Sequence, residues 1–196
     1  MYNLIFKRRS VRFFKPTDIP KMDIREILRA GMWAPSAKNR QPWKFIVVKG
    51  ESKKTALDLM EKGIEEVEKG EGLLAGTPEL FTNARFTLEC MRQAPIILFI
   101  TNPQGRSLKD NWTPAEKIHE LSDVQAIGAA AENMALQATS MGIGSLWIGN
   151  IFFAYDKLHD WLGNGEMVMA MAFGYPNHHP CPLARKEEDD IIEVRK

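Results

Sequence analysis

The sequence lacks most of the motifs by which a catalytic site is usually found. Its two cysteines, Cys90 and Cys181, are isolated, and no cluster of histidine, cysteine and carboxylate residues has metal-ligand spacing. This pattern predicts neither a disulfide scaffold nor a zinc site, and it favours the cytoplasm. The phosphate-binding GxxxxGK(S/T) motif and the GxSxG motif of α/β-hydrolases are also absent.

Long apolar runs are missing as well. No segment approaches the roughly 20 apolar residues that a membrane-spanning helix needs. The N-terminal MYNLIFKRRS lacks the order of charged and apolar residues that a signal peptide has. The sequence therefore predicts neither membrane insertion nor export. Its 196 residues, 44 % of them hydrophobic and 26 % charged, have the composition of an ordinary globular protein. A single domain over residues 1–196 is expected.

The net charge of +1 conceals an uneven distribution. Residues 1–54 hold 14 Lys+Arg against 4 Asp+Glu, whereas residues 55–196 hold 12 against 21. A nucleic-acid-binding protein usually carries its basic excess over a whole domain face. Here the excess is compensated within one predicted domain. The distribution therefore favours a local anion site or complementary surfaces between subunits.

The most basic stretch, KRRSVRFFKP (residues 7–16), carries five positive charges and no negative one. It contains Arg8, Arg9, Ser10 and Arg12. Guanidinium groups match phosphate oxygens and a hydroxyl adds a further donor, so the segment is a candidate phosphate site. A solvated basic arm is the simpler alternative. The apolar residues between the arginines favour a docked segment instead, with both phenylalanines packed in the core.

Two further segments are candidate ligand contacts. APSAKNRQPWKF (residues 34–45) gathers short polar side chains in a proline-stiffened turn between a predicted helix and a predicted strand. An ordinary connection is an equal alternative for this segment. GIGSLWIGN (residues 142–150) has glycines, but not at GxGxxG spacing, and it follows a helix rather than a strand. A Rossmann loop is therefore excluded, although a glycine turn allows backbone amides to approach a flat ligand.

Apolar periodicity predicts irregularly alternating helices and strands, which indicates one α+β or α/β domain. Helices are predicted over residues 18–33, 52–69, 79–92, 121–141 and 154–163, and strands over 44–50, 94–101 and 166–175. The helix over 121–141, with Ser122 as its expected cap, is rich in alanine and suits close helix contact, either in the centre of the domain or between subunits. The last twenty residues are predicted to be extended and to form no core.

Five ordered blocks together resemble the FMN-dependent nitroreductase family. They are RRSVRFF, APSAKNRQPWKFIVV, the alanine-rich helix, MGIGSLWIGN and PLARKEEDDI, and they cover nearly the whole chain. The resemblance implies an α+β fold, in three α/β/α layers with a central, mainly antiparallel sheet. It also implies an intertwined homodimer with FMN at the subunit interface and an exchanged C-terminal segment.

The resemblance also implies which residues would contact FMN. Arg8 and Ser10 would hold the phosphate and ribityl end, with Arg9 nearby and Arg185 of the tail as a further cation. Arg12 would lie against the pyrimidine edge of the flavin. The other subunit would contribute Pro35, Ser36, Ala37 and Asn39, with Gln41 supporting their turn. The segment with Ser145, Trp147, Ile148 and Gly149 would cover the ring, and a backbone N–H near its end would face flavin N5.

The implied activity is hydride transfer from NADH or NADPH through flavin N5 to an electron-poor small molecule, such as a nitroaromatic or a quinone, with ping-pong kinetics. No side chain would then serve as a catalytic acid or nucleophile. The alternatives are a reductive dehalogenase or flavin-fragmenting enzyme of the same fold, a non-catalytic flavin-binding or redox-sensing protein, and a nucleic-acid binder that uses residues 7–15. Residues 70–118 give no dependable match from which to choose the substrate.

Overall fold

The computed structural model describes residues 2–77, 81–163 and 165–195. In chain order the regular elements are α1 (Tyr2–Lys7), α2 (Lys21–Met32), β1 (Lys44–Val48), α3 (Gly50–Glu68), α4 (Phe81–Gln93), β2 (Ile96–Asn102), α5 (Pro114–Ser140), β3 (Gly144–Ile148), α6 (Tyr155–Leu162) and β4 (Glu166–Gly174). The predicted strands and the helices over 18–33, 52–69 and 154–163 are confirmed, with ends shifted by a few residues. The helix over 79–92 is confirmed from residue 81 onward, since its predicted start lies outside the described residues.

The strands form an antiparallel sheet in the order β1-β2-β4-β3. β2 is a central strand and all of its residues are buried. Its side chains alternate between the two faces, so that Ile97 and Phe99 pack with α3, α4 and α6, whereas Leu98 and Ile100 pack with α2 and α5. The expected α+β class and its three layers are confirmed.

Helix α5 begins seven residues earlier than the sequence pattern predicts. Thr113 is its cap, because the Thr113 hydroxyl accepts the N–H of Glu116 at 3.3 Å and the Glu116 carboxylate accepts the N–H of Thr113 at 2.8 Å. Pro114 occupies the first helical position, where its missing N–H costs nothing. Ser122 lies inside the helix and donates to the carbonyl of Ile118. The prediction of Ser122 as the cap was therefore wrong.

The segment after α5 is a strand and not only a glycine turn. Residues 144–148 pair with β4 as the edge strand β3, and the basic segment continues the sheet beyond them. Ser10 bridges to Ser145, and the N–H of Val11 donates to the carbonyl of Ser145 at 2.9 Å. The basic segment is thus docked, as predicted. Phe14 is buried, but Phe13 is 44 % exposed, because neighbouring side chains of extended backbone point in opposite directions.

The C-terminal tail beyond β4 runs along the surface. Every described residue from Cys181 onward is exposed, including the apolar side chains of Ile191, Ile192 and Val194. The prediction of a tail without a core is confirmed, but the tail is not extended throughout, since Glu188–Asp190 form a 3-10 turn. Among the described residues, no helix combines the length and the apolar character needed to cross a membrane.

Candidate functional site

The arginines of the basic segment have different surroundings. Arg8 Nε lies 3.0 Å from Oε1 of Glu132 on α5. Arg9 Nη1 donates to the carbonyl oxygens of Phe6 (2.6 Å) and Arg8 (2.7 Å), so it caps the C-terminal end of α1. Arg12 is exposed, and within the described ranges no carboxylate lies at ion-pair distance from it. Arg8 and Arg12 therefore have guanidinium donors to offer a ligand, whereas Arg9 uses Nη1 within the segment.

A groove of about 390 Å³ lies between the basic segment, the C-terminal end of α5 and the start of the tail. Lys7, Arg9 and Val11 line it. Arg8 and Ser10 do not, because successive side chains of an extended segment point to opposite sides. The face that carries Arg8 and Ser10 is thus separate from this groove.

The end of β3 presents an open backbone surface next to the basic segment. Ser145 and Ile148 are buried, whereas Trp147 is 42 % exposed. Gly149 follows the strand and is exposed, and a Cβ atom added to it would meet nothing within 4 Å. A flat ligand can therefore approach the backbone at Gly149 without displacing any side chain.

The turn after α2 is strained. Lys38, Asn39 and Gln41 have φ angles of 54°, 54° and 50°, a region that costs a residue with a side chain about 1–2 kcal/mol. The hydroxyl of Ser36 accepts the N–H of Gln41 at 3.0 Å, which closes the turn. Pro35, Ala37, Asn39 and Gln41 are exposed, and Ser36 is half-buried. Strain of this kind is concentrated where a backbone is shaped for a ligand.

An ion pair fixes this turn to the rest of the fold. Arg40 donates through Nε (3.1 Å) and Nη2 (2.6 Å) to Oδ1 of Asp123, which lies on α5. The other oxygen of Asp123 accepts from Asn102 at the end of β2. Sequence analysis did not identify Asp123, because α5 carries several other acidic residues and nothing in the sequence distinguishes this one.

The predicted site residues form separate groups within one chain. Arg8 contacts α5 at Glu132, and the turn contacts α5 at Asp123. These helix positions are nine residues apart, or about 13 Å along the axis. Arg185 is exposed in the tail. The structure thus brings residues 8–12 to the start of β3, whereas residues 35–41 contact α5 at a different position within one chain.

Helix α4 borders the end of β3, although sequence analysis gave it no role in the site. Asn150, directly after Gly149, donates to the hydroxyl of Thr87 on α4 at 2.8 Å. Phe86 on the same helix is exposed and lies edge-on to Phe13, with ring centroids 6.4 Å apart. These aromatic side chains give the open side of the site an apolar wall.

A second polar cluster lies away from this site, where β2 ends and β4 begins. Glu166 is only 3 % exposed, and its Oε2 accepts from the Tyr155 hydroxyl at 2.9 Å. Burial raises the pKa of Glu166 and also that of Glu120 on α5. His159 approaches Glu166 to 3.7 Å. In the described part of the chain, no group of three or more His, Cys, Asp or Glu side chains is arranged to hold a metal ion.

The group formed by residues 8–12 and β3 has the chemistry to bind a flat molecule with an anionic end. Arg8, Arg12 and Ser10 supply donors for the anion, and the open backbone at Gly149 accepts a planar ring beside them. None of these residues is a nucleophile paired with a general base. The group is therefore suited to positioning a cofactor that carries the reactive chemistry.

The profile described as "Nitroreductase family" matches residues 5–175. Human iodotyrosine deiodinase 1 is 34 % identical over 209 residues, which is 97 % of this chain and 67 % of that protein. The crystal structure of a BluB-like flavoprotein from Clostridium difficile 630 superimposes with a TM-score of 0.78 and 29 % identity, covering 100 % of this chain and 98 % of that one. The FMN-dependent nitroreductase NfnB from Mycobacterium smegmatis, in complex with NADPH, has a TM-score of 0.72 at 18 % identity, with coverage of 100 % and 97 %, and this likeness shows the fold.

Proposed function

The chain belongs to the nitroreductase family, and from this premise we propose that it is an FMN-dependent NAD(P)H oxidoreductase acting on an electron-poor small molecule. The observation that carries the proposal is the bridge between Ser10 and Ser145. It joins the cationic segment to the start of β3, and the open backbone at Gly149 follows the other end of the same strand. The flavoprotein relative at 29 % identity supports a flavin, and the guanidinium groups of the segment support a flavin that carries a phosphate.

The chain's own residues bind and orient this cofactor. Arg8 and Ser10 bind the phosphate and ribityl end, and the backbone N–H near Gly149 faces N5. Arg12 lies at the pyrimidine edge, where a fixed positive charge stabilises negative charge that develops during reduction, an effect of the order of a few kcal/mol. Bound FMN would supply the redox chemistry, hydride transfer between NADH or NADPH and a nitroaromatic, quinone or similar acceptor, while these residues would hold and orient it.

A homodimer completes the site. The strained turn over residues 35–41 lies about 13 Å along α5 from the position that Arg8 contacts, so it serves the FMN of the other copy. Ile118, Leu121 and Val124 form an exposed apolar face at the start of α5, which a second subunit would cover. The exposed tail extends onto that subunit and carries Arg185 to its phosphate.

The test is a visible spectrum of the purified protein, followed by anaerobic titration with NADH and with NADPH. The proposal predicts a yellow protein that bleaches on addition of one or both nucleotides. A colourless protein that binds no FMN would overturn it. A yellow protein that neither nucleotide bleaches would instead support the non-catalytic flavin-binding alternative. Size-exclusion chromatography with light scattering tests the dimer separately.

Reductive dehalogenation is the second candidate activity, because the human relative at 34 % identity is a deiodinase. The apolar wall formed by Phe13 and Phe86 suits an aromatic acceptor in either case. The two activities differ in their product. Halide release from a halogenated phenol by the reduced protein favours dehalogenation, whereas consumption of a nitroaromatic with NAD(P)H oxidation favours nitroreduction.

A further inference from the structure

Among the described residues, Glu132 on α5 is the carboxylate that forms an ion pair with Arg8, which follows α1. Oε1 of Glu132 lies 3.0 Å from Nε of Arg8, and the side chains are 41 % and 21 % exposed. The contact uses the inner nitrogen of the guanidinium. Within the described residues no second carboxylate lies at ion-pair distance from Arg8, so Nη1 and Nη2 pair with no other carboxylate.

Glu132 stands on a rigid support. Ala131 and Met134, its neighbours on α5, are fully buried, and Asn133 Nδ2 donates to the carbonyl of Ala30 on α2 at 3.2 Å. Helix α5 therefore cannot rotate to move Glu132 away. The backbone of Arg8 is fixed as well, because its N–H donates to the carbonyl of Leu4 at 2.8 Å. The carboxylate thus limits the orientations open to a long and otherwise flexible side chain.

We infer that Glu132 is a positioning residue for the cofactor phosphate. By holding Nε of Arg8 it directs Nη1 and Nη2 toward the phosphate, so that the ordering of this side chain is completed before binding. The inference rests on the proposed function, since it takes Arg8 as a phosphate ligand. It adds a residue that neither the sequence pattern nor the family match assigns.

Glu132 also carries a negative charge, which opposes a dianionic phosphate. The contact of Glu132 with Arg8 and the repulsion between Glu132 and the phosphate act over different distances. The positioning contact is direct, at 3.0 Å, whereas the repulsion acts across the whole guanidinium and through the water around a carboxylate that is 41 % exposed. Screening weakens the repulsion more than the direct ion-pair contact, so positioning outweighs it. This balance predicts opposite results for two substitutions of the same residue.

The experiment measures the dissociation constants of FMN and of riboflavin, which lacks the phosphate, by flavin fluorescence with flavin-stripped protein. Glu132→Ala removes the acceptor and the charge, and it should weaken FMN binding about tenfold while riboflavin changes less than about twofold. Glu132→Gln keeps an oxygen that accepts from Nε but loses the charge. Its FMN affinity should equal or exceed that of the unchanged protein. Thermal unfolding of the flavin-stripped variants checks that both fold.

Arg8→Ala, alone and together with Glu132→Ala, completes a double-mutant cycle. It should weaken FMN binding relative to riboflavin, and Glu132→Ala should then add no further loss, because nothing remains to be positioned. Three outcomes overturn the inference while leaving the proposed function intact: equal loss of FMN and riboflavin in Glu132→Ala, a gain in FMN affinity in that same variant, or an additive loss in the double variant. Absence of flavin binding by the unchanged protein overturns both. An unchanged ratio of FMN to riboflavin affinity in Arg8→Ala removes Arg8 as the phosphate ligand and overturns the inference with it.

Discussion

Arg40 and Asp123, 83 residues apart in sequence, join the strained turn to helix α5 through two hydrogen bonds to one carboxylate oxygen. Asp123→Ala leaves the half-buried guanidinium without its partner and also removes the acceptor of Asn102. We expect the free energy of unfolding to fall by about 2–3 kcal/mol, as urea denaturation would measure.

Glu26→Ala is the matched control for this change, because Glu26 pairs with Arg29 on the exposed face of α2. An exposed pair of this kind contributes about 0.5 kcal/mol or less. Similar losses in the two variants would show that the Arg40–Asp123 contact does not anchor the turn.

This contact also shows why part of the site could not be predicted from the sequence. Residues 7–16 revealed their docking through local pattern, because apolar residues stood between the arginines. Asp123 and Glu132 have no comparable signal, since their partners lie on other elements and only the fold brings them together.

The sheet and most helices followed from periodicity, whereas their ends depended on local chemistry. The helix over 121–141 was predicted to start too late because its apolar periodicity begins after the capping box formed by Thr113 and Glu116. β3 was read only as a glycine turn because its strand character depends on pairing with β4, which the segment itself does not encode. The placement of the site residues on FMN, the single domain and the cytoplasmic location stay predictions.

Substitutions of Lys38 test whether the backbone of the turn over residues 35–41 is strained. The φ of Lys38 is 54°, a conformation that glycine adopts without the steric cost of a Cβ atom. Lys38→Gly should leave the free energy of unfolding unchanged or raise it by up to about 1 kcal/mol, and Lys38→Val should lower it by about 1–2 kcal/mol. Lys15→Gly, at an exposed position where φ is not positive, should be destabilising by about 0.5–1 kcal/mol. Loss of stability in Lys38→Gly equal to that in Lys15→Gly would contradict the strain.

The buried carboxyl of Glu166 should make the free energy of unfolding depend on pH. Burial raises the pKa of this carboxyl in the folded protein, so the folded state binds a proton that the unfolded state releases first. This contribution is fully present below the ordinary pKa of about 4.3 and is lost as the pH rises through the raised value. Glu166→Gln removes it, so the variant should gain stability relative to the unchanged protein as the pH rises above the ordinary pKa of a glutamate.

The groups around Glu166 determine how much pH dependence the Glu166→Gln variant should keep. Tyr155 donates to it, His159 lies 3.7 Å away, and Glu120 adds a carboxyl whose pKa is also raised by burial. Some pH dependence should therefore remain in Glu166→Gln. Urea unfolding at several pH values should give curves that diverge as the pH rises, and parallel curves would assign the dependence to Glu120 instead.

The contact between Gly144 and Val11 shows how closely the basic segment packs against β3. A Cβ atom at Gly144 would lie 2.7–3.0 Å from the side-chain carbons of Val11, including its Cβ, which no rotamer change can move. Gly144→Ala should therefore displace the segment and lower the free energy of unfolding by about 1–3 kcal/mol. FMN binding should weaken with it, because Arg8 and Ser10 move together with Val11.

Gly149→Ala separates the cofactor surface from the fold. The φ of Gly149 is −93° and an added Cβ atom would meet nothing within 4 Å, so thermal unfolding of the flavin-stripped protein should be unchanged. If a flavin ring lies against this backbone, the same methyl group occupies part of its space and FMN binding should weaken about tenfold or more. Because no phosphate contact changes, riboflavin should lose affinity by the same factor, unlike the phosphate-selective loss expected for Arg8→Ala. Unchanged affinity for both flavins in Gly149→Ala would show that the ring lies elsewhere.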